Sequence, residues 1–313
     1  MKKIRLLLLL AAACLLLCAC RQQPPEALRT DTLPGAPEIA ALPGEDSALQ
    51  LGAVLYFPYG DTGLLRSETR QIEMLPNVTR EMALVRALLD GPREGGGAPL
   101  FPEKTEVLST QAQDGVIYIT LNESLYDRYA EEGALTEAGV LRRRLALTAL
   151  AATLTESGEY RGVQVLVRPE NNVGSSMRLT GRFWGQADTP LPLLTRQSDA
   201  LPTPSAYARE LLAAWQQRSV EALLPFLSAR ESQGLSALEQ HMAAAPALLT
   251  FAVYDGTVSP GGESAVVCAD LVLRDVQGGE TVLDSYPLSL VREGGAWKMQ
   301  QSRLLSMMGE NNE

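Results

Sequence analysis

Asp114-Gly115 stands between two strand-like runs, 105–113 and 116–121, the second rich in β-branched and aromatic residues. A two-residue Asp-Gly loop between such runs is a strong short-range sign of a β-hairpin, because both loop positions need a positive φ that these residues tolerate. Ile117, Ile119 and Leu121 then share one face of the second strand, and Val116, Tyr118 and Thr120 the other. Such a strand needs cover, and helical patterns flank it. Thr79 offers an N-cap to a helix over 80–90, with Met82, Val85, Leu88 and Leu89 on one stripe and Gly91-Pro92 as its stop. A longer helix over 137–157 sets Val140, Leu147, Ala151 and Leu154 on one side, with Gly158 at its end. Ala53 to Phe57 reads as a strand stopped by Pro58. Residues 64–75 read as a second strand, with Arg70, Ile72 and Met74 on one face. Val163, Val165 and Val167 close the unit. The order is β-β-α-β-β-α-β, an α+β arrangement with helices on one face.

A second pattern begins after a stretch rich in Gly and Pro. Residues 51–187 make the first domain with a carboxy-terminal extension, 188–204 a linker, and 205–308 a second domain. The second opens with a helix from Ser205 that turns Leu211, Leu212, Trp215 and Val220 inward. Further helical turns follow over 223–227 and 236–245. Strand-like stretches then cover 248–258, 264–274 and 281–305, the last broken by Gly294-Gly295. Helices first and an antiparallel meander after them is again α+β.

Several segments of the first domain carry a family resemblance. They are Leu55-Tyr56-Phe57, Ala87-Leu88-Leu89-Asp90-Gly91-Pro92, Phe101 to Leu108, the hairpin strand Val116 to Leu121, and Val163 to Val167 after the Thr153-Leu154-Thr155 helix end. In that order they resemble the GerMN (sporulation and germination protein GerM) domain over 51–170. Leu121-Asn122-Glu123-Ser124 and Asn171-Asn172 depart from the family's usual turns. The resemblance implies a domain without recognised catalytic residues, in proteins of spore formation, germination or envelope assembly, with envelope protein partners and possible self-association. The ending Leu288 to Met299 resembles the last hairpin of NTF2-like (nuclear-transport-factor-2-like) domains.

The amino terminus fixes an expected location. Lys2, Lys3 and Arg5 precede the apolar run Leu6 to Leu17, and Ala19 precedes Cys20. This resembles a bacterial lipoprotein signal over 1–19, with Cys20 as the lipidated residue. The run is shorter than the roughly 20 residues that span a bilayer, so acyl chains would hold the protein to the extracytoplasmic face of the cell membrane. Residues 20–50, with five prolines from Pro24 to Pro43, read as a tether that reaches on the order of 30 Å as a coil. Loss of the three cationic residues of 1–19 takes the formal net charge from −10 to −13. An acidic chain of this kind argues against nucleic acid, whose phosphates require clustered Lys and Arg. Only Cys20 and Cys268 would remain after processing, which leaves no disulfide. Cys268, in the apolar run Ala265 to Ala269, reads as a buried small hydrophobe.

Little in the chain suggests a reacting centre. His241 is the single histidine and has no sequence neighbour suited to acid–base work or metal ligation. Glu131-Glu132 and the pair Asp270 and Asp275 are carboxylates better read as surface groups, although Asp270 interrupts an apolar strand. Arg142-Arg143-Arg144 reads as a solvated helix face partly offset by Glu131, Glu132 and Glu137. Gly95-Gly96-Gly97 precedes no helix and so makes no phosphate cradle. The sequence assigns no catalytic residue, cofactor or metal. It leads to a non-enzymatic interaction lipoprotein, the alternative being an envelope lipoprotein that binds a small ligand in a carboxy-terminal pocket.

Overall fold

The computed structural model describes residues 49–94, 99–171, 174–231 and 234–309. Cys20, the signal and most of the tether lie outside the described residues, as do Gly95-Gly96-Gly97. In the first half, β1 (Leu49–Pro58) and β2 (Leu65–Met74) form an antiparallel ribbon. Helix α1 (Arg80–Leu89) follows, capped as expected by the Thr79 hydroxyl, which accepts from Met82 N at 3.2 Å. Strands β3 (Val107–Gln113) and β4 (Val116–Asn122) make the hairpin. Its loop has φ of 51° at Asp114 and 71° at Gly115, both positive as a type I′ turn demands.

Helix α2 (Glu137–Leu154) then crosses over to β5 (Gly162–Arg168), which pairs parallel to β4. A parallel pair needs such a crossover. The short β6 (Met177–Arg178) completes a sheet of order β3-β4-β5-β6. Ile117, Ile119 and Leu121 are fully buried beside Val163, Val165 and Val167. From Leu145 to Leu154 only Thr148 escapes burial in α2, because the helix lies between β1 and β5. The single stripe seen in the sequence is one side of a helix buried on several.

The uneven alternation in β2 has a cause. Arg66, Ser67, Glu68 and Arg70 are all buried. Arg70 Nε donates to Glu68 Oε1 at 2.8 Å, and its Nη atoms donate to the carbonyls of Ala87 at 3.1 Å and Gly91 at 3.0 Å. Glu68 Oε2 in turn accepts from the backbone of Arg93 and Glu94. One ion pair thus closes the end of α1, whose last carbonyls have no partner within the helix. Gly91, at φ 81°, makes the turn that brings its carbonyl there.

Residues 188–204, expected as a linker, lie along the first core. Val163 and Leu194 exchange backbone hydrogen bonds of 2.8 and 2.9 Å, and Leu191 is buried. A Cβ at Gly162 would stand 2.7 Å from the Leu194 carbonyl oxygen, so glycine permits the approach.

The second half holds α3 (Pro204–Gln216), α4 (Val220–Leu223), α5 (Leu235–Ala244) and strands β7 (Ala247–Val253), β8 (Thr257–Val258), β9 (Ser264–Arg274), β10 (Glu280–Glu293) and β11 (Ala296–Met299). The antiparallel order is β11-β10-β9-β7, with β8 also on β9. Residues past Met299 are not strand, as expected from the sequence, but helix α6 (Gln301–Gly309), which buries Leu304, Met307 and Met308 in the second core.

The halves meet at β2. Leu65 belongs to the first core and Leu64 to the second. Ser67 N donates to the Gly295 carbonyl at 3.2 Å, Arg292 Nη2 donates to Ser67 Oγ at 2.6 Å, and the Tyr207 hydroxyl donates to the Leu65 carbonyl at 2.8 Å. Tyr59 packs its ring 5.5 Å from that of Tyr207, and burial pushes its phenol up to about 12. The described residues form one compact unit.

Gly295 tests this joint. It has φ 76°, and an added Cβ would fall 1.8 Å from the Ser67 carbonyl oxygen, whereas Gly294 at φ 55° has open space. Gly294→Ala should cost about 1 kcal/mol through backbone strain alone. Gly295→Ala should cost at least about 2 kcal/mol more, since strand and hairpin must part. Urea unfolding of both variants gives the comparison, and equal losses would mean that the joint is loose.

Glu68 supplies a pH test. Burial raises its carboxyl, but the Arg70 hydrogen bond and two backbone N–H donors outweigh this and hold it below its ordinary value. A lowered carboxyl contributes stability in full above its unfolded value and loses it as pH falls through the folded one. Glu68→Gln should therefore be less stable than the parent at pH 7, with the gap closing below about pH 4.5. Melting temperatures from pH 7 to 3 should converge; parallel curves would rule out the ion pair.

Candidate functional site

Consecutive helix positions point about 100° apart, so three arginines in a row cannot share an environment. Thr136 caps α2 by accepting from Gly139 N at 3.1 Å, which places Arg142, Arg143 and Arg144 in its second turn. Arg142 pairs with Glu131, covers the Tyr129 ring at 3.6 Å, and donates to the Pro99 carbonyl. Arg143 is 3% exposed and grips both carboxylate oxygens of Glu132, at 2.8 and 2.9 Å. It also donates to the Asp127 carbonyl at 3.1 Å. Burial lifts the Tyr129 phenol between these arginines to about 12, and its hydroxyl donates to the Leu100 carbonyl. Arg144 alone points to solvent, its guanidinium 5.6 Å from the centre of the Trp184 ring, with no carboxylate partner among the described residues. The run expected as a solvated face is therefore one buried ion pair, one half-buried pair and one free cation.

Beside Arg144 lies a groove of about 500 Å³ between α2 and residues 191–197. Thr148 and Leu147 form its helix side, Trp184 one end, and Pro192, Leu193 and Leu194 the far wall. The Trp184 indole N–H donates to Gln186 Oε1 at 2.9 Å, which fixes the ring.

His241, Cys268, Asp270 and Asp275 do not line this groove. His241 is exposed on α5 and donates from Nδ1 to the Ala237 carbonyl at 2.8 Å, within its own helix. Cys268 is half-buried, not buried: Val267 and Ala269 face the core, which turns Cys268 to the opposite face of β9. Asp270 is on that same outer face. It accepts from the Tyr254 hydroxyl and from Ser285 N at 2.7 Å, so it secures the bulge of β10 where Ser285 has φ 51°. The Tyr254 hydrogen bond, and then the Ser285 N–H, hold the Asp270 carboxyl below its ordinary value. Asp275 accepts from Gln277 N and Gly279 N in the next turn. Each acid does local structural work. Among the described residues no three His, Cys, Asp or Glu side chains gather as metal ligands would. The interior of the second half is packed with Tyr207, Trp215, Phe226 and Trp297.

Residues 54–171 match the Germane family model, described as sporulation and spore germination. Those residues are a Germane domain. Among solved structures, the chain is similar to the first GerMN domain of the sporulation protein GerM from Bacillus subtilis, at 14% identity over 47% of this chain and 98% of that one, with a TM-score of 0.32. For the tandem GerMN domains of the same protein the values are 12%, 71%, 61% and 0.35. An NTF2-like protein from Cytophaga hutchinsonii matches at 16% identity over 30% of this chain and 86% of its own, with a TM-score of 0.23. No curated protein matches the chain. The groove and the arginines of α2 fall in and just beyond the Germane domain, since Trp184 and Pro192 to Leu194 come after residue 171.

The two arginines should separate cleanly under mutation. Arg143→Ala leaves the Glu132 carboxylate buried without its partner and should cost about 3–5 kcal/mol. Arg144→Ala removes an exposed cation and should stay within about 0.5 kcal/mol of the parent. Thermal unfolding of the pair is the measurement; a neutral Arg143→Ala would show the Glu132 pair to be unimportant.

Proposed function

We propose that this chain is a membrane-anchored lipoprotein of the extracytoplasmic face that serves sporulation or germination, or envelope assembly, by binding protein partners and not by catalysis. The observation that carries this reading is the Germane domain over residues 54–171, a domain described by sporulation and spore germination. The signal-like sequence ahead of Cys20 supports the anchoring. The sequence alternative, a small ligand held inside the carboxy-terminal half, has less in its favour, because aromatic and aliphatic side chains fill that interior.

Cys20→Ala tests the anchor and the role together. The variant should accumulate unprocessed or leave the membrane fraction, and spore yield or germination should fall as far as in a strain lacking the protein. Retention on membranes after a high-salt wash, at the same mature size, would overturn the lipid anchor. Normal sporulation, germination and envelope integrity in the strain lacking the protein would overturn the role.

A further inference from the structure

We propose that the groove between α2 and residues 191–197 binds an organic anion built as a single apolar chain ending in one carboxylate. The inference is independent of the role in sporulation. Its first support is charge. The acidic pair Glu131-Glu132 is consumed by Arg142 and Arg143, while Arg144 is left at the groove with no acidic partner among the described residues. In a chain of formal net charge −10, a free guanidinium beside apolar walls is the place where a carboxylate is attracted and not repelled. Arginine offers a planar fork of donors that matches a carboxylate, and the Trp184 face beneath it limits its hydration and its freedom.

The second support is the lining. Thr148, Trp184, Pro192, Leu193 and Leu194 give mainly apolar contact, and no Asp or Glu lines the groove. A volume of about 500 Å³ suits a molecule of that kind. The third is that the wall is already in place. The reciprocal hydrogen bonds of Val163 and Leu194 fix its middle, and the absence of a Cβ at Gly162 lets Leu193 and Leu194 approach. Arg196 pins its end by donating to the Ala152 carbonyl at 2.7 Å. A pre-formed wall spares the ordering cost of binding.

Dodecanoate, below its micellar concentration, is the probe, and dodecan-1-ol is the same tail without the charge. Binding is measured by calorimetry and by tryptophan emission on the full chain carrying Cys20→Ala, so that no attached acyl group competes. Of the three tryptophans, Trp215 and Trp297 are buried in the second core, so a change in emission reports Trp184. Dodecanoate should bind at least tenfold more tightly than dodecan-1-ol. Arg144→Gln should weaken dodecanoate by about 10- to 100-fold and leave the alcohol unchanged, the range expected for one charged hydrogen-bonding partner. Thr148→Phe, on a half-exposed helix position, should block both ligands without lowering the melting temperature. Equal affinity for acid and alcohol, insensitivity to Arg144→Gln, insensitivity to Thr148→Phe, or no binding of dodecanoate would each overturn the proposal.

Discussion

The open edge of β2 is the constraint on which the rest of the fold depends. A two-stranded ribbon leaves backbone donors and acceptors exposed along both strands, and a ribbon alone is marginally stable. Here the second half supplies what is missing: the Gly295 carbonyl for Ser67 N and the Tyr207 hydroxyl for the Leu65 carbonyl. On its other side Tyr56 N donates to Thr153 Oγ1 of α2. The ribbon is therefore held between the first core and the second. Leu64, just ahead of β2, and Leu65, its first residue, enter different cores because successive residues of an extended chain face opposite ways.

Charge is placed inside the first half with equal economy. Arg70 with Glu68, and Arg143 with Glu132, are pairs with side chains at most 8% exposed. Each arginine also reaches main-chain carbonyls, of Ala87 and Gly91 in one case and Asp127 in the other. The pairs therefore close segments that have no regular partners of their own. Replacing such a pair with apolar residues can be neutral for stability, whereas breaking it is not; what it fixes is the path of the loops.

Local chemistry made much of this fold legible. Asp114-Gly115, the Thr79 cap and the Gly91-Pro92 stop each act within a few residues, and each stands where the sequence placed it. The parallel pairing of β4 with β5 was not legible, because it depends on a crossover and on no local signal. Prolines marked 188–204 as irregular, which it is. They did not reveal that Leu194 would pair with Val163, since breakers report the end of periodicity and not the absence of packing. The arginine run misled for a simple reason: charge at three successive positions looked like one surface, while helical geometry sends each side chain elsewhere. Glu131, Glu132 and Glu137 matched the arginines in number, and only the first two pair with them. Trp184, the other half of the site, comes from a segment too short to show a period, so its place beside Arg144 is a tertiary fact.

The ribbon also has a mechanical meaning. A pull arriving through the amino-terminal residues enters the described structure at Leu49, opposite Met74, at the end of β1 farthest from its turn. Leu49 and Gln50 are exposed and Leu51 is only half-buried, so the first pairs can peel at small force. Peeling stops at Leu55 to Phe57, which are buried, and at Tyr56 N with its bond to Thr153. Under such a load the first few residues of β1 would yield before the first core, where Leu55 to Phe57 are buried.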